Sequence, residues 1–471
     1  MTQFPHRRRF LGRSAAALVG LPLAARAVAS PAPARLAGTA EAAAAAPAWH
    51  NWSESAACQP RQWVAPATLD ELAATLKSAP GPLRCVGAGH SFTALVPTQG
   101  TLLSVDRLSG LQAHDRAAGW ATLGAGTRIA VAARRLDAVG LALFNQPDID
   151  SQTLAGALST GTHGTGVRFG AMHSELMALK LMTAGGELLS CSATERPELF
   201  AAAQVSLGCL GVLTEVTLKV RPRHFLRRKA WVARNEELWE QAGELAQKHQ
   251  HMEMYFLPHT GWGAAIVHDE VAEVPVDHPP APDEDVLRDL QHLRDWLGRW
   301  PDLRRWVAGK AVGRTEPEQA TDVSWKLLAS PRPTRFNETE GHVPREAGIA
   351  CVRDVLATLE KRRDTFFPME FRYIKADSAW LSPFQGRDSC SIAVHALQGE
   401  PYDYLISEIG PVLRRHGARP HWGKLHDQTP AELAAHYPRL RDFLALRREL
   451  DPQGRLLSPY AQRLLGLEAK A

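Results

Sequence analysis

Residues 84 to 93 decide how this chain reads: Arg84-Cys85-Val86-Gly87-Ala88-Gly89-His90-Ser91-Phe92-Thr93, an apolar run that reaches a Gly-x-Gly turn and then, at once, His and Ser. Without a Cβ, Gly87 and Gly89 let the backbone turn tightly and approach a ligand closely. Main-chain amides freed in such a turn form an anion-binding nest. His90 would stand at its mouth with a nucleophilic ring nitrogen. A dinucleotide-binding G-x-G-x-x-G turn would need a third glycine and a following helix. Phe92 sits at the third glycine position and Pro97 follows in a Thr/Pro/Gln/Gly-rich segment, which excludes that motif. Two readings stay open from this stretch alone. One is an ordinary strand-to-loop turn with a surface His; the other is a pyrophosphate cradle whose His is bonded to a cofactor.

A second stretch favours the cradle: Ser151-Gln152-Thr153-Leu154-Ala155-Gly156-Ala157-Leu158-Ser159-Thr160-Gly161-Thr162-His163-Gly164-Thr165-Gly166. In this order the pair resembles the two flavin-contacting loops of the vanillyl-alcohol-oxidase-type (PCMH-type) FAD-binding oxidoreductases. The resemblance implies an α+β, two-domain architecture, an FAD-binding PCMH-type domain joined to an α+β substrate (cap) domain. It implies FAD held covalently through His90, with Gly87, Ala88, Gly89 and Ser91 around it. Ser151, Gly156, Ser159, Thr160, Gly161, Thr162, His163 and Gly164 would then contact the cofactor beside the isoalloxazine. The second loop has no cysteine, so a second covalent link from it is not expected.

With 471 residues and 45% hydrophobic content the chain can bury more than one core, so two domains are the default. Net charge is only +4, and no Lys/Arg block interleaved with aromatics follows the N-terminus. Nucleic acid is therefore not an expected partner. Arg7-Arg8-Arg9-Phe10-Leu11 reads as a twin-arginine n-region, and the apolar run from Ser14 to Ala25 is too short to span a bilayer comfortably. Ala27-Val28-Ala29 offers a small-residue cleavage site. The expectation is a signal peptide over 1–29, an Ala/Pro-rich spacer over 30–48, and a periplasmic or secreted protein with no stable membrane span. A disordered basic tail is the alternative. The twin-arginine export machinery carries folded proteins, which suits an enzyme that loads its cofactor in the cytoplasm. The six cysteines (58, 85, 191, 209, 351, 390) show no C-x-x-C pair. Their spacing and that of His421 and His426 suggest no metal site.

Taken in order, Thr68 or Asp70 caps an amphipathic helix with apolar residues at 69, 72, 73 and 76. Leu83–Val86 is a strand, and 102–106 and 121–126 read as two more. A helix is expected over 128–139, from its apolar residues at 129, 132, 133 and 136. Longer strands at 175–183 and 212–220 flank a helix that starts near Glu198. Gly211 and Val212 fall in a stretch that resembles the end of the family's flavin domain, and they join its expected cofactor contacts. The first domain is set at 49–222, the substrate domain at 223–440, and 441–471 as a C-terminal segment that returns to the first. Within 285–312, apolar residues at 287, 290, 293, 296 and 297 share one helical face, expected to pack inward, with a membrane or partner surface as the alternative.

The chemistry gathers late in the chain. Glu370-Phe371-Arg372-Tyr373-Ile374 alternates as a strand, so Glu370 and Arg372 project from one face and can reach one pocket. Ser391-Ile392-Ala393-Val394-His395 is a second strand that ends in His, and His421-Trp422-Gly423-Lys424 extends a cation. Alone, these read as an exposed ion pair, a satisfied His and a surface Lys. Their order after the two loops resembles the aldonolactone-oxidase and alditol-oxidase branch of the family, over residues 49 to about 466. Phe336 to Glu346 and Leu450 to Tyr460 add to it, and Gly341 departs from it, because branch members commonly carry an aromatic there. The resemblance implies catalysis by Glu370, Arg372, His395 and Lys424, with His421 as a cofactor contact. The substrate would be a sugar lactone or polyol, whose hydride passes to the flavin. Oxygen or another acceptor would reoxidise it. A D-arabinono-1,4-lactone or L-gulono-1,4-lactone oxidase type is the main expectation, an alditol oxidase the near alternative, and a flavin-free carbohydrate-binding protein the other class. Lys424, with His395 or Glu370, is expected to remove the hydroxyl proton, and Arg372 to stabilise charge.

Overall fold

The computed structural model describes residues 46–273, 275–277, 285–312, 315–330 and 332–467. The expected signal peptide and most of the spacer lie outside the described residues. The first lobe begins with a parallel three-stranded sheet, Gln62–Val64, Thr101–Ser104 and Leu83–Val86, with Thr101–Ser104 in the middle. The helix Leu69–Ser78 crosses between two of these strands, and Thr68 accepts from the Glu71 amide as its N-cap. An antiparallel five-stranded sheet follows, in the order Leu188–Ser192, Leu176–Met182, Val212–Lys219, Trp120–Gly124 and Leu111–Asp115. Helices Ile129–Ala138 and Leu154–Thr160 bury their apolar sides in the same core.

That core also takes Trp380, Trp422, Leu433, Tyr437, Phe443, Leu457 and Leu464. The chain thus meets the first lobe at Trp380 and Trp422 and packs against it again from Leu433 onward. Main-chain carbonyls anchor the return. The Leu83 amide donates to the Arg455 carbonyl at 2.6 Å. The buried Arg84 guanidinium binds the carbonyls of Leu207 (2.9 Å) and Gly208 (3.3 Å), and also that of Leu456. Arg455 in turn reaches the carbonyls of Leu76 and Ala79 at 2.7 and 2.9 Å. The strand that feeds the Gly87 turn is therefore held by residues at the far end of the chain.

The second lobe is built on an eight-stranded antiparallel sheet. Its order is Glu318–Val323, Phe225–Arg234, Trp262–Val271, His251–Leu257, Met369–Ile374, Ser389–Leu397, Phe336–Pro344 and Arg419–Pro420. Side chains alternate between its faces. Met252, Met254, Phe256, Met369, Phe371, Ile392, Val394 and Val343 point to one side, where they pack under helices Asn235–Lys248 and Gly348–Leu359. The other face carries the ionisable residues described below.

Two local expectations change. Residues 285–312 form two helices, Asp285–Leu297 and Pro301–Val312, and only part of the expected inward face packs inward: Leu290 is buried, whereas Trp296 is 69% exposed. Gly341 lies on the helix-packed side of its strand, where an added Cβ would meet Leu413 and Ala418 at 3.0 and 3.1 Å. A side chain there would not reach a ligand on the opposite face. The six cysteines are free thiols.

Candidate active site

Two surfaces face each other across a cavity of about 1470 Å³. That volume includes space open to solvent. Gly87, Ala88, Gly89, His90, Ser91, Gly156, Ser159, Thr160, Thr162, His163, Gly211 and Val212 line it from the first lobe. Glu370, Arg372, His395, His421 and Lys424 line it from the other side. Three of the expected contacts, Ser151, Gly161 and Gly164, do not belong to that lining. Ser151 Oγ is 2.7 Å from His90 Nε2 and fixes that ring. Gly161 is the left-handed C-cap of the short helix, at φ 77°, against Pro383. Gly164 is wedged where a Cβ would meet Asn145 Oδ1 at 2.3 Å.

The glycine turn fits a phosphate-bearing ligand. Among the described residues the successive amides from Ala88 to Ser91 find no acceptor in the protein, while the Gly89 carbonyl takes the Trp52 amide at 2.7 Å. Amides left facing a cavity in this way are an anion nest. Gly87 is closed off by Thr153, whose Oγ1 would lie 2.2 Å from an added Cβ and which caps the helix at Gly156. Trp52 lies tilted against His90, with 5.1 Å between ring centroids. Burial, with the nearby cations of Lys424 and Arg128, pushes the His90 pKa down to about 4. Its ring is neutral at physiological pH. These residues suit FAD: the free amides from Ala88 to Ser91 would hold its pyrophosphate.

The opposite wall follows from strand register. Glu338 pairs with His395, Glu340 with Ala393, and Glu370 with Ala393 and Tyr255; Arg372 pairs with Ser391 and Glu253. All of these point to the face away from the helices, so four strands pave one surface with charge. Arg372 is the hub: its Nε reaches Glu253 at 2.8 Å, its Nη1 reaches Glu370 at 3.1 Å, and Nη2 lies 3.4 Å from the Tyr255 hydroxyl. Burial alone would raise the Glu370 carboxyl, but Arg372, His395 and Arg332 outweigh it and hold it below the usual range. Lys424 pairs closely with Glu338 and sits 3.7 Å from Glu340. Burial would draw its pKa down; the two carboxylates outweigh that and keep it a cation. The Glu338 carboxyl itself is pushed up by burial, against the pull of Lys424 and His395.

His395 is set as an acceptor. Its Nδ1 lies 3.1 Å from the Pro368 carbonyl, which can only accept, so Nδ1 carries the proton and a neutral ring has Nε2 bare. That nitrogen lies 3.7 Å from Glu338 Oε1. Phe336 holds the ring edge-on at 4.7 Å.

Several residues here escaped the sequence. Glu338 and Glu340 sit in a run that is polar at every position from Asn337 to Glu340, so no alternation singles them out, whereas Glu253 and Tyr255 alternate with Met252, Met254 and Phe256, a pattern that could have signalled a polar face. Asp148 and Arg332 come from loops of different lobes and pair with each other, and no spacing foretells that. His163, Glu340 and His342 place ligand-type atoms within 4.8 Å of one another, although the sequence suggested no metal. His163 Nε2 and Glu340 Oε1 already share a hydrogen bond of 2.9 Å.

Comparison with known proteins accords with this geometry. Residues 60–192 match the FAD binding domain family, and residues 216–464 match the family of D-arabinono-1,4-lactone oxidase. An L-gulono-1,4-lactone dehydrogenase of Mycobacterium tuberculosis is 32% identical over 431 residues, 89% of this chain and 99% of the relative. An alditol oxidase of a Streptomyces species is 30% identical over 448 residues, 88% of this chain and 98% of that protein. A solved cholesterol oxidase from Brevibacterium sterolicum matches with a TM-score of 0.73 at 16% identity, across 89% of this chain and 96% of that one, a likeness of fold alone.

Proposed function

We propose that this chain, which belongs to the D-arabinono-1,4-lactone oxidase family, oxidises a hydroxyl-bearing carbon of an aldono-1,4-lactone with FAD as its redox cofactor. The observation that carries the reading is the charged sheet face, with Glu338, Glu370, Arg372, His395 and Lys424, set against the Gly87 and Thr162 loops in one cavity. When bound, FAD supplies the two-electron acceptor for the hydride. The protein's own task is then the proton and the charge. His395 Nε2 accepts the hydroxyl proton, and Glu338 beside it stabilises the imidazolium that forms. Lys424 and Arg372 are fixed cations that favour the alkoxide-like transition state. This moves Lys424 from proton acceptor to electrostatic partner, because its two carboxylates keep it charged. Glu370, ionised beside Arg372, accepts a hydrogen bond from a substrate hydroxyl and orients the ring.

Covalent attachment through His90 belongs to the same proposal. A neutral imidazole keeps one ring nitrogen unprotonated and nucleophilic, and Ser151 holds it in place. Export through the twin-arginine route also belongs here and rests on Arg7-Arg8-Arg9-Phe10-Leu11 and the apolar run after it. Replacing Arg8 and Arg9 with Lys should leave the precursor in the cytoplasm. The decisive experiment is the visible spectrum of the purified protein before and after acid precipitation, followed by anaerobic titration with aldonolactones and alditols. Yellow colour in the pellet and bleaching by lactones are expected. A colourless protein that FAD does not change would overturn the enzyme reading, and bleaching by alditols alone would replace the lactone with a polyol.

A further inference from the structure

Three buried side chains where the lobes meet carry donor atoms of the kind that metal ions take. His163, Glu340 and His342 are 5%, 6% and 0% exposed, and one ligand-type atom of each lies within 4.8 Å of the other two. Strand alternation brings two of them together. Glu340 and His342 flank Gly341 on Phe336–Pro344, so both point to the face away from the helices. His163 comes from the first lobe, in the segment just past helix Leu154–Thr160. The proton and charge chemistry of the cavity makes no use of His342.

Hydrogen bonds fix which atoms are free. His163 Nδ1 lies 2.8 Å from the Gly164 carbonyl, which can only accept, so Nδ1 carries a proton. Ligating histidines are commonly held in this way through their other nitrogen. A neutral ring then turns a bare Nε2 on Glu340 Oε1 at 2.9 Å, an oxygen that also accepts from the Ser391 hydroxyl. Two acceptors so close need a proton or a metal ion between them. His342 decides between the two. Its ring is fully buried, and neither nitrogen has a hydrogen-bond partner among the described residues. A buried polar group left unpaired is costly. A proton shared by His163 and Glu340 leaves that cost in place, whereas an ion held by all three takes up one His342 nitrogen. The neighbouring charges are already matched. Lys424, 3.7 Å from Glu340 Oε2, pairs closely with Glu338, and Arg387 donates to the His342 and Gly417 carbonyls. His421 stands 5.7 Å from His342 between ring centroids, but its Nδ1 accepts the Gly423 amide at 3.0 Å, so it is a neighbour of the three.

We infer that His163, Glu340 and His342 form a site for a divalent transition-metal ion that clasps the two lobes. Two imidazoles and one carboxylate suit zinc and its first-row neighbours, with a fourth position left to water. Bonds of about 2.0–2.2 Å set tetrahedral ligand atoms roughly 3.5 Å apart, so the widest spacing closes by about 1 Å around the ion. The test strips the full chain, as purified, with a chelator, dialyses it against zinc, and compares it with His342→Leu. Leucine replaces an imidazole that makes no hydrogen bond, so the metal-free variant should melt no lower than the metal-free parent. Elemental analysis should find an equimolar excess of zinc in the parent over the variant. The parent's melting temperature should rise with zinc concentration, and the variant's should stay level. X-ray absorption at the zinc edge of the parent, which needs no variant, should show two imidazole ligands. Equal zinc in parent and variant, a parent melting temperature that zinc does not move, or an edge spectrum with oxygen ligands alone would each overturn the site.

Discussion

Lys424→Met separates what the cavity wall does for stability from what it does for catalysis. In the native protein Lys424 neutralises Glu338, whose side chain is 4% exposed. Methionine is similar in length but leaves that carboxylate buried without its cation. Removing one partner of a buried pair costs about 3–5 kcal/mol when the other charge remains. Glu338 escapes part of this by taking up a proton, because burial already pushes its pKa above the usual range. The sign follows from that direction. A carboxyl that holds its proton more firmly when folded lends stability below its unfolded pKa, and loses it as pH rises through the folded value. The variant should therefore unfold in urea less readily at pH 5 than at pH 8, with most of the deficit at the higher pH. Adding Glu338→Gln should restore stability across the range. Flavin reduction is a different matter. Loss of one fixed donor to the developing alkoxide slows the step by about 10²–10³-fold, and Glu338→Gln should not restore it. Stopped-flow bleaching under nitrogen, beside urea melts at both pH values, reads the two effects separately. If reduction in Lys424→Met ran at the native rate, Lys424 would have no part in the chemistry. A urea midpoint that fell equally at pH 5 and pH 8 would refute the burial argument.

Three further outcomes test other parts of the site. His90→Ala should bind FAD that stays in the supernatant after acid precipitation; flavin still in the pellet would identify another anchor. His395→Gln should slow substrate-dependent flavin reduction about 10²–10⁴-fold, the range for a positioned proton acceptor, and flatten its pH profile, whereas an unchanged profile would remove His395 from the proton path. Gly87→Ala should destabilise the protein by about 1–3 kcal/mol through overpacking and weaken FAD retention, because the methyl displaces Thr153 from its cap. Adding Thr153→Ala should recover the packing part, read as a melting temperature.

Much of this was legible in the chain because two periodicities are simple. Glycines at a turn and a two-residue repeat on strands are local facts, so the Gly87 loop and the shared face of Glu370 and Arg372 could be read directly. Gly341 shows the same rule missed: on its strand it alternates with Glu340 and His342 and so faces the helices. Trp296 was expected to pack by helical spacing, but it stands at the end of its helix, where the chain turns at 298–300, and of that face only Leu290 is fully buried. Asp148 and Arg332 meet only because two lobes close on one cavity, and the partner of Lys424 depends on strand pairing between distant segments. Such contacts are set by tertiary register, which no local window contains.

The attachment of Arg84 to the Leu456 carbonyl, and of Leu83 to Arg455, has a consequence for the order in which the protein is made. The strand under the cofactor turn is synthesised early, yet the Leu456 carbonyl that holds Arg84 follows it by 372 residues. A nascent chain cannot close this long loop before residues 455 and 456 have emerged, so the last ties of the cradle form late in synthesis. A chain cut short before Arg455 leaves the Arg84 guanidinium without its distal carbonyl, and the strand under the cradle without one of its ties.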